Sequence, residues 1–243
     1  MKKYIILFSM LLIGYSANSQ ILISLIFGDK LNSEGMEFGL EGGANFSNIS
    51  GFQSNKYLSS LALGFYFDIR LKNQLSLNTG VMVKSTYGID KLSAADLTML
   101  NARTFSDPGD YSLQLNYFHV PALLRYKFKN HIYAEAGPQI GLMYKSYIQY
   151  KSDYENQEAR IRSYNKDDIN RIDVGGMIGL GYTLEKGTGL TLGVKYYYGF
   201  VDVVKDIPGT KNSSFLLKIN IPIGREKAAI KAAEKEGEYK IQR

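Results

Sequence analysis

The sequence predicts an eight-stranded, antiparallel, up-and-down transmembrane β-barrel followed by a short C-terminal helix on the periplasmic side. Three observations carry the prediction. Apolar residues alternate with polar or small ones at a period of two, eight stretches show that alternation, and the links between them alternate strictly between short and long.

The chain opens with Lys2-Lys3, an apolar run over residues 4–13 and Ala17-Asn18-Ser19 before Gln20. Residues 1–19 therefore read as a cleaved secretory signal, since the apolar run is shorter than the ~20 residues of a membrane-spanning helix. Residues 20–34 follow as a leader, or as a plug of the periplasmic mouth through the apolar stretch 21–27.

The eight expected strands cover residues 36–47, 61–71, 74–86, 113–128, 131–145, 171–184, 190–200 and 214–223. The second is the clearest. Leu61, Leu63, Phe65, Phe67, Ile69 and Leu71 fall on one side, and Ala62, Gly64, Tyr66, Asp68 and Arg70 on the other. These stretches exceed the ~5–6 residues usual in soluble strands and reach the ~9–11 that a tilted strand needs to cross a bilayer. Short links at 72–73, 129–130 and 185–189 alternate with long ones at 48–58, 87–112, 146–170 and 201–213. That pattern puts short turns and both termini in the periplasm and four long loops outside. The loops at 87–112 and 146–170 are long and polar, so mobility is expected there. The barrel thus occupies 35–224, and the tail 225–243, rich in Ala, Glu and Lys, favours a helix.

The polar face distinguishes a membrane barrel from a soluble ligand-binding one. It carries Glu37, Glu41, Asp68, Arg70, Lys84, Arg125, Lys127, Glu135, Lys145, Asp173, Lys195 and Lys218, interleaved with many of the 24 glycines. Glycine weakens a water-facing strand but leaves room where side chains from opposite walls meet. These residues are expected to form a lumen charge network, five acids against seven bases, near enough to balance for buried charges. The opposite face, including Leu75, Leu77, Val81, Val83, Ile140, Leu142, Leu192, Val194 and Leu217, suits lipid. Tyr117, Tyr144, Tyr182, Tyr196, Tyr198, Phe46, Phe128 and Phe215 lie toward strand ends, as in an interfacial girdle.

Composition excludes several classes. The chain has no Cys, which rules out an acylated lipoprotein anchor, a zinc ribbon and a thiol nucleophile. The net charge of +6 is dispersed among acids and densest in the tail, which argues against nucleic-acid binding. The two histidines, His119 and His131, stand near opposite ends of one hairpin without a third ligand, so no metal is expected. His119 is expected in the lumen network and His131 in a periplasmic turn. Asp90, Asp96, Asp107, Asp110, Asp153, Glu155, Asp167 and Asp168 read as solvated loop charge, because no loop that holds them contains a histidine. The glycines at 175–181 lack a following Gly-Lys-Ser/Thr and form no phosphate loop. No catalytic residue and no cofactor is predicted.

The run Leu115-Asn116-Tyr117-Phe118-His119-Val120-Pro121-Ala122-Leu123-Leu124-Arg125-Tyr126-Lys127-Phe128, followed by Tyr133-Ala134-Glu135-Ala136-Gly137-Pro138-Gln139-Ile140-Gly141, resembles the PorT-like outer-membrane β-barrel family of Gram-negative bacteria. The stretches at 175–182 and 193–200 resemble its closing strands, and the likeness covers 37–223. It implies an eight-stranded outer-membrane barrel and carries over no catalytic residues. The expected role is non-enzymatic, a structural or interaction barrel acting through its long external loops. A narrow porin-like channel for small polar solutes and an accessory factor in protein secretion are the alternatives. The expected partners are outer-membrane lipids and an extracellular or periplasmic protein.

Overall fold

A computed structural model describes residues 35–154, 157–184 and 189–223. The expected signal, leader and C-terminal helix lie outside the described residues. Nine strands form: β1 (Met36–Ile49), β2 (Lys56–Lys72), β3 (Leu75–Asp90), β4 (Asp110–Lys127), β5 (Ile132–Tyr154), β6 (Gln157–Tyr164), β7 (Ile172–Thr183), β8 (Thr191–Asp202) and β9 (Lys211–Pro222). The helix α1 (Ala94–Met99) sits between β3 and β4, and a 3-10 turn (Lys166–Asp168) between β6 and β7.

Eight of the nine strands close a ring. Each pairs antiparallel with its sequence neighbour, β5 pairs with β7 across the β6 excursion, and β1 closes on β9. Closure leaves the ring without an edge, the condition for a sheet in lipid. One end carries the short turns and the ends of β1 and β9, the terminus end. The other carries the long connections, the loop end.

β6 corrects the expectation of a loop over 146–170. β5 runs for 23 residues and changes partner on the way. Its first part, Ile132 to Leu142, pairs with β7, and its last part, Tyr147 to Tyr154, pairs with β6. The hairpin β5–β6 therefore extends beyond the ring. β6 was hidden in the sequence because Gln157-Glu158-Ala159-Arg160-Ile161-Arg162-Ser163-Tyr164 is mostly polar on both faces.

Polarity inverts along the strands. On the outer face of β4, Phe118, Val120, Leu124, Tyr126 and Phe128 are exposed and apolar, while Asn116, Gln114 and Asp110 continue that face toward the loops. Inside, Arg125 and His119 are buried at the lower levels, and Leu115 and Leu113 above them. Ten residue steps separate Phe118 from Phe128, about 33 Å along the strand and about 25 Å along the membrane normal at a ~40° tilt. That height matches the apolar band of outer-membrane barrels, and the wall above it has the polarity of a soluble barrel.

Two bulges reset the pleat where the inversion occurs. The register of β3 slips against β2 between Leu63 and Gly64 and against β4 between Met82 and Ser85. The register of β5 slips against β4 at Asn116/Tyr117. Each bulge adds a residue to one strand and shifts all later side chains by one face. Ile89 and Ile148 thereby become interior residues.

The long connections do not float. Phe52 from the first, Leu92, Leu97 and Leu100 from the second, Ile169 from the third, and Val203, Val204 and Ile207 from the fourth join Ile49, Ile89, Leu113, Leu115 and Ile148 in one apolar cap. α1 is held by a capping box, in which Ser93 Oγ accepts from the Asp96 amide and Asp96 accepts from the Ser93 amide. Asp96 also accepts from Gln53 N at 2.7 Å and Ser54 N at 3.0 Å, tying the first long loop to the second. Burial pushes its carboxyl pKa up, but the bonds from Ser93, Gln53 and Ser54 outweigh that and lower it.

Because Asp96 is more acidic folded than unfolded, its stabilisation is full above the ordinary carboxylate range. It fades as pH falls through the lowered folded value. Asp96→Asn is expected to cost about 1–3 kcal/mol, the penalty for stranding buried partners. The checks are trypsin cleavage at exposed Arg103, faster in the variant at neutral pH, and pepsin cleavage of the same loop, which speeds up in the parent only in strong acid.

Candidate functional site

The bore is filled in three layers. Nearest the terminus end, three bases meet three acids. Arg125 binds Asp68 and also Glu135, at 2.7 Å, while Lys195 reaches Glu41 at 2.7 Å. Lys218 bridges Glu135 at 3.0 Å and Glu41 at 3.4 Å, and Asn220 donates to Glu41 at 3.1 Å. The layer is neutral. Side chains projecting inward from β1, β2, β4, β5, β8 and β9 meet there, which ties opposite walls together.

Tyrosine completes this layer. The Arg125 guanidinium lies 4.4 Å from the Tyr133 ring centre, and Tyr66 donates to Glu37 at 2.8 Å. Glycines make the space: a Cβ on Gly181 or Gly193 would come within 2.3 or 2.5 Å of the Tyr133 hydroxyl, and one on Gly39 within 2.6 Å of the Tyr66 ring. The room that sequence reading assigned to charged side chains goes largely to aromatic rings.

The middle layer is aromatic and polar. His119 stacks on Tyr117 with ring centres 4.9 Å apart, contacts Tyr87 at 4.4 Å, and places Nδ1 3.0 Å from Ser85 Oγ. Beside it Asn212 donates to Asp173 at 2.9 Å and Gln139 to the Tyr87 hydroxyl at 3.3 Å. A void of about 10 Å³ remains between the layers, lined in part by Glu41, His119, Gln139 and Lys195. It has room for about one water. The apolar cap forms the third layer.

Of the twelve residues expected in the lumen network, Glu41, Asp68, Arg125, Glu135, Lys195 and Lys218 come together as ion pairs. Glu37 is bound to Tyr66, and Asp173 belongs to the middle layer. Arg70 is exposed and Lys127 half-buried, both near the turns of the terminus end. Lys84 is exposed, paired with lipid-facing Leu63, and Lys145 sits over the rings of Tyr147 and Tyr164. The two bulges account for both lysines, because they fall at the slips that unbroken alternation does not reveal. His119 lies in the bore but among tyrosines rather than ion pairs, and His131 stands in the β4–β5 turn at positive φ.

The aromatic girdle is two-sided. Phe118 stacks on Tyr144 and Tyr196 meets Phe215, with centres 4.7 and 4.6 Å apart, toward the loop end. Tyr126 with Phe128 and the exposed Tyr182 mark the terminus end. Tyr117 departs from expectation: it is 1% exposed and packs inside the bore. Sequence reading also missed Tyr87, Tyr133, Tyr197, Asn45, Gln139, Asn212 and Ser214 as interior residues, although most share the parity of the network.

A closed ring with a polar core, an apolar belt and aromatic borders defines a membrane-spanning β-barrel. The chain matches the family described as "Outer membrane protein beta-barrel domain" over residues 27–205, well over half its length, and belongs to that family. The family places it in the outer membrane. Among solved structures it is similar to Neisserial surface protein A, at 12% identity over 78% of this chain and 98% of that one, with a TM-score of 0.40. It is similar to Ail of Yersinia pestis at 12% identity, over 78% and 99%, with a TM-score of 0.38. The outer membrane protein OprG of Pseudomonas aeruginosa gives 11%, over 79% and 95%, with a TM-score of 0.34. No curated protein matches the sequence.

Removing one partner of the ion-pair layer leaves buried charges uncompensated. Glu135→Gln is expected to destabilise the barrel by about 3–5 kcal/mol, whereas Arg70→Gln, outside the layer, stays within about 0.5 kcal/mol. Urea unfolding in lipid vesicles, followed by the gel shift between unheated and boiled samples, measures both.

Proposed function

We propose that the protein is a non-conducting, non-enzymatic barrel that holds a rigid polar platform above the membrane for binding or structural work. The observation that carries this reading is the filled bore. A solute entering from the loop end meets the apolar cap, then packed rings, then a salt-bridged layer. Eight strands enclose an interior that side chains can fill, and here they fill it. The cap also makes the platform stiff, since all four long connections share one core.

In this reading the loop end faces outward and both termini lie in the periplasm, as the family location and the lengths of the connections favour. The resemblance of the 115–128 and 133–141 runs to PorT-like barrels supports placing the chain near that subfamily.

The test is electrical. Purified barrel in a planar bilayer should give no single-channel steps at neutral pH. Discrete steps in the parent that vanish in a variant with the cap cross-linked shut would overturn the non-conducting reading in favour of a narrow channel.

A further inference from the structure

The first outward position beyond the apolar belt differs systematically around the ring. On β3, β4 and β5 it is Lys84, Asn116 and Lys145, and Arg171, exposed in the bend before β7 although at inward parity, lies against β5 at Met143. β6, beside them, adds Arg162. On β8, β9, β1 and β2 the same position holds Asp202, Ser213, Asn48 and Ser59; nearby, Lys211 is paired with Asp202 at 2.9 Å, and Lys56 stands alone at the start of β2 among the described residues, its carbonyl accepting from Asn48. Four cations therefore stand on one half of the rim.

Among the described residues no salt bridge joins Lys84, Lys145, Arg162 or Arg171 to a carboxylate. Elsewhere at the loop end Lys91 has Asp110 and Lys211 has Asp202. The unpaired set is partly fixed in place. Lys145 lies 5.5 Å from the Tyr147 ring centre and 5.4 Å from that of Tyr164, and Arg162 lies 4.9 Å from Tyr147 and donates to Gln149 at 3.2 Å. Tyr147 is oriented by its hydroxyl bond to Gln114 at 2.8 Å. Directly below, Phe118 and Tyr144 form the aromatic border of the belt.

The height of these groups selects the ligand. Lys84 and Lys145, the first polar outward residues beyond the belt, and Arg162, which reaches the Tyr147 ring from higher on the β5–β6 hairpin, are flanked by interfacial aromatics where the polar heads of the surrounding lipids lie. We propose that the β3–β6 half of the rim binds phosphate-bearing headgroups of anionic membrane lipids in the loop-end leaflet. Lys84, Lys145, Arg162 and Arg171 supply the charge, and Tyr147 and Tyr164 supply the wall. Arginine matches phosphate in a two-pronged geometry, whereas lysine acts as a point charge. The opposite half of the rim has no such cluster, so the barrel carries a preferred lipid neighbour on one side only.

This inference rests on the membrane-barrel reading but not on the closed bore, so conductance and lipid binding fail independently. The full chain, purified in detergent with equal phosphatidylglycerol and phosphatidylcholine, is examined by native mass spectrometry for retained lipid. The parent should retain phosphatidylglycerol preferentially, with the preference falling roughly five-fold per cation removed in K84Q, K145Q, R162Q and R171Q and disappearing in the combined variant. K91Q/K205Q, at the same end but above the rim, should keep it. An unchanged preference in a folded combined variant overturns the proposal, as does displacement of the lipid by inorganic phosphate.

A second measurement stands should the combined variant fail to fold. The chain has no tryptophan, so Tyr164→Trp is a single fluorescent reporter beside the cluster. In phosphatidylcholine vesicles containing a trace of lipid spin-labelled high on its acyl chain, labelled phosphatidylglycerol should quench it more than labelled phosphatidylcholine. Equal quenching contradicts the proposal.

Discussion

Every long strand of this protein passes through two solvents, and the rest of the structure follows from that. Within the belt, lipid requires an apolar exterior, so polar groups must be gathered inside and mutually satisfied. Above it, water requires a polar exterior, and apolar side chains retreat inward to form a core. β4 meets both demands without changing its pleat: Phe118 and Asn116 are neighbours on one face, and His119 and Leu115 lie on the other. β3 and β5 bulge at the crossing.

The two interiors hold the barrel in different ways. In the belt, a neutral set of three cations and three carboxylates cross-links opposite walls, and its geometry depends on glycines that let Tyr66 and Tyr133 lie flat against the sheet. Such a layer is costly to break because an orphaned charge cannot be hydrated. Above the belt, burial of Leu97, Leu113, Ile169, Val203 and their neighbours binds four connections into one unit. Among the described residues, ionic closure below and apolar closure above fill the space between the walls, which is the observation behind the platform proposed above.

The sequence made the ring and its inner face legible, because alternation at a period of two survives wherever the two faces meet different solvents. The six residues of the ion-pair layer were all visible as polar residues at inward parity. What it concealed has physical causes. A bulge changes parity without changing composition, so Lys84 and Lys145 read as interior. β6 has water on both sides and carries no alternation. The apolar cap is assembled from residues scattered over four connections, each of which looks polar when taken alone. Tyr117 suited a girdle by type, but it lies at inward parity beside His119.

The most direct test of the two-solvent account is a spin-label scan along β4. In the cysteine-free chain, single cysteines at Gln114, Asn116, Phe118, Val120 and Leu124 would carry nitroxides in a lipid bilayer, and collisions with oxygen and with a water-soluble nickel chelate would be compared. The account predicts that oxygen dominates from Phe118 to Leu124 and the chelate at Gln114 and Asn116, with the crossover between Asn116 and Phe118. Oxygen-dominated collisions continuing through Gln114, or chelate-dominated collisions at Val120, would contradict it.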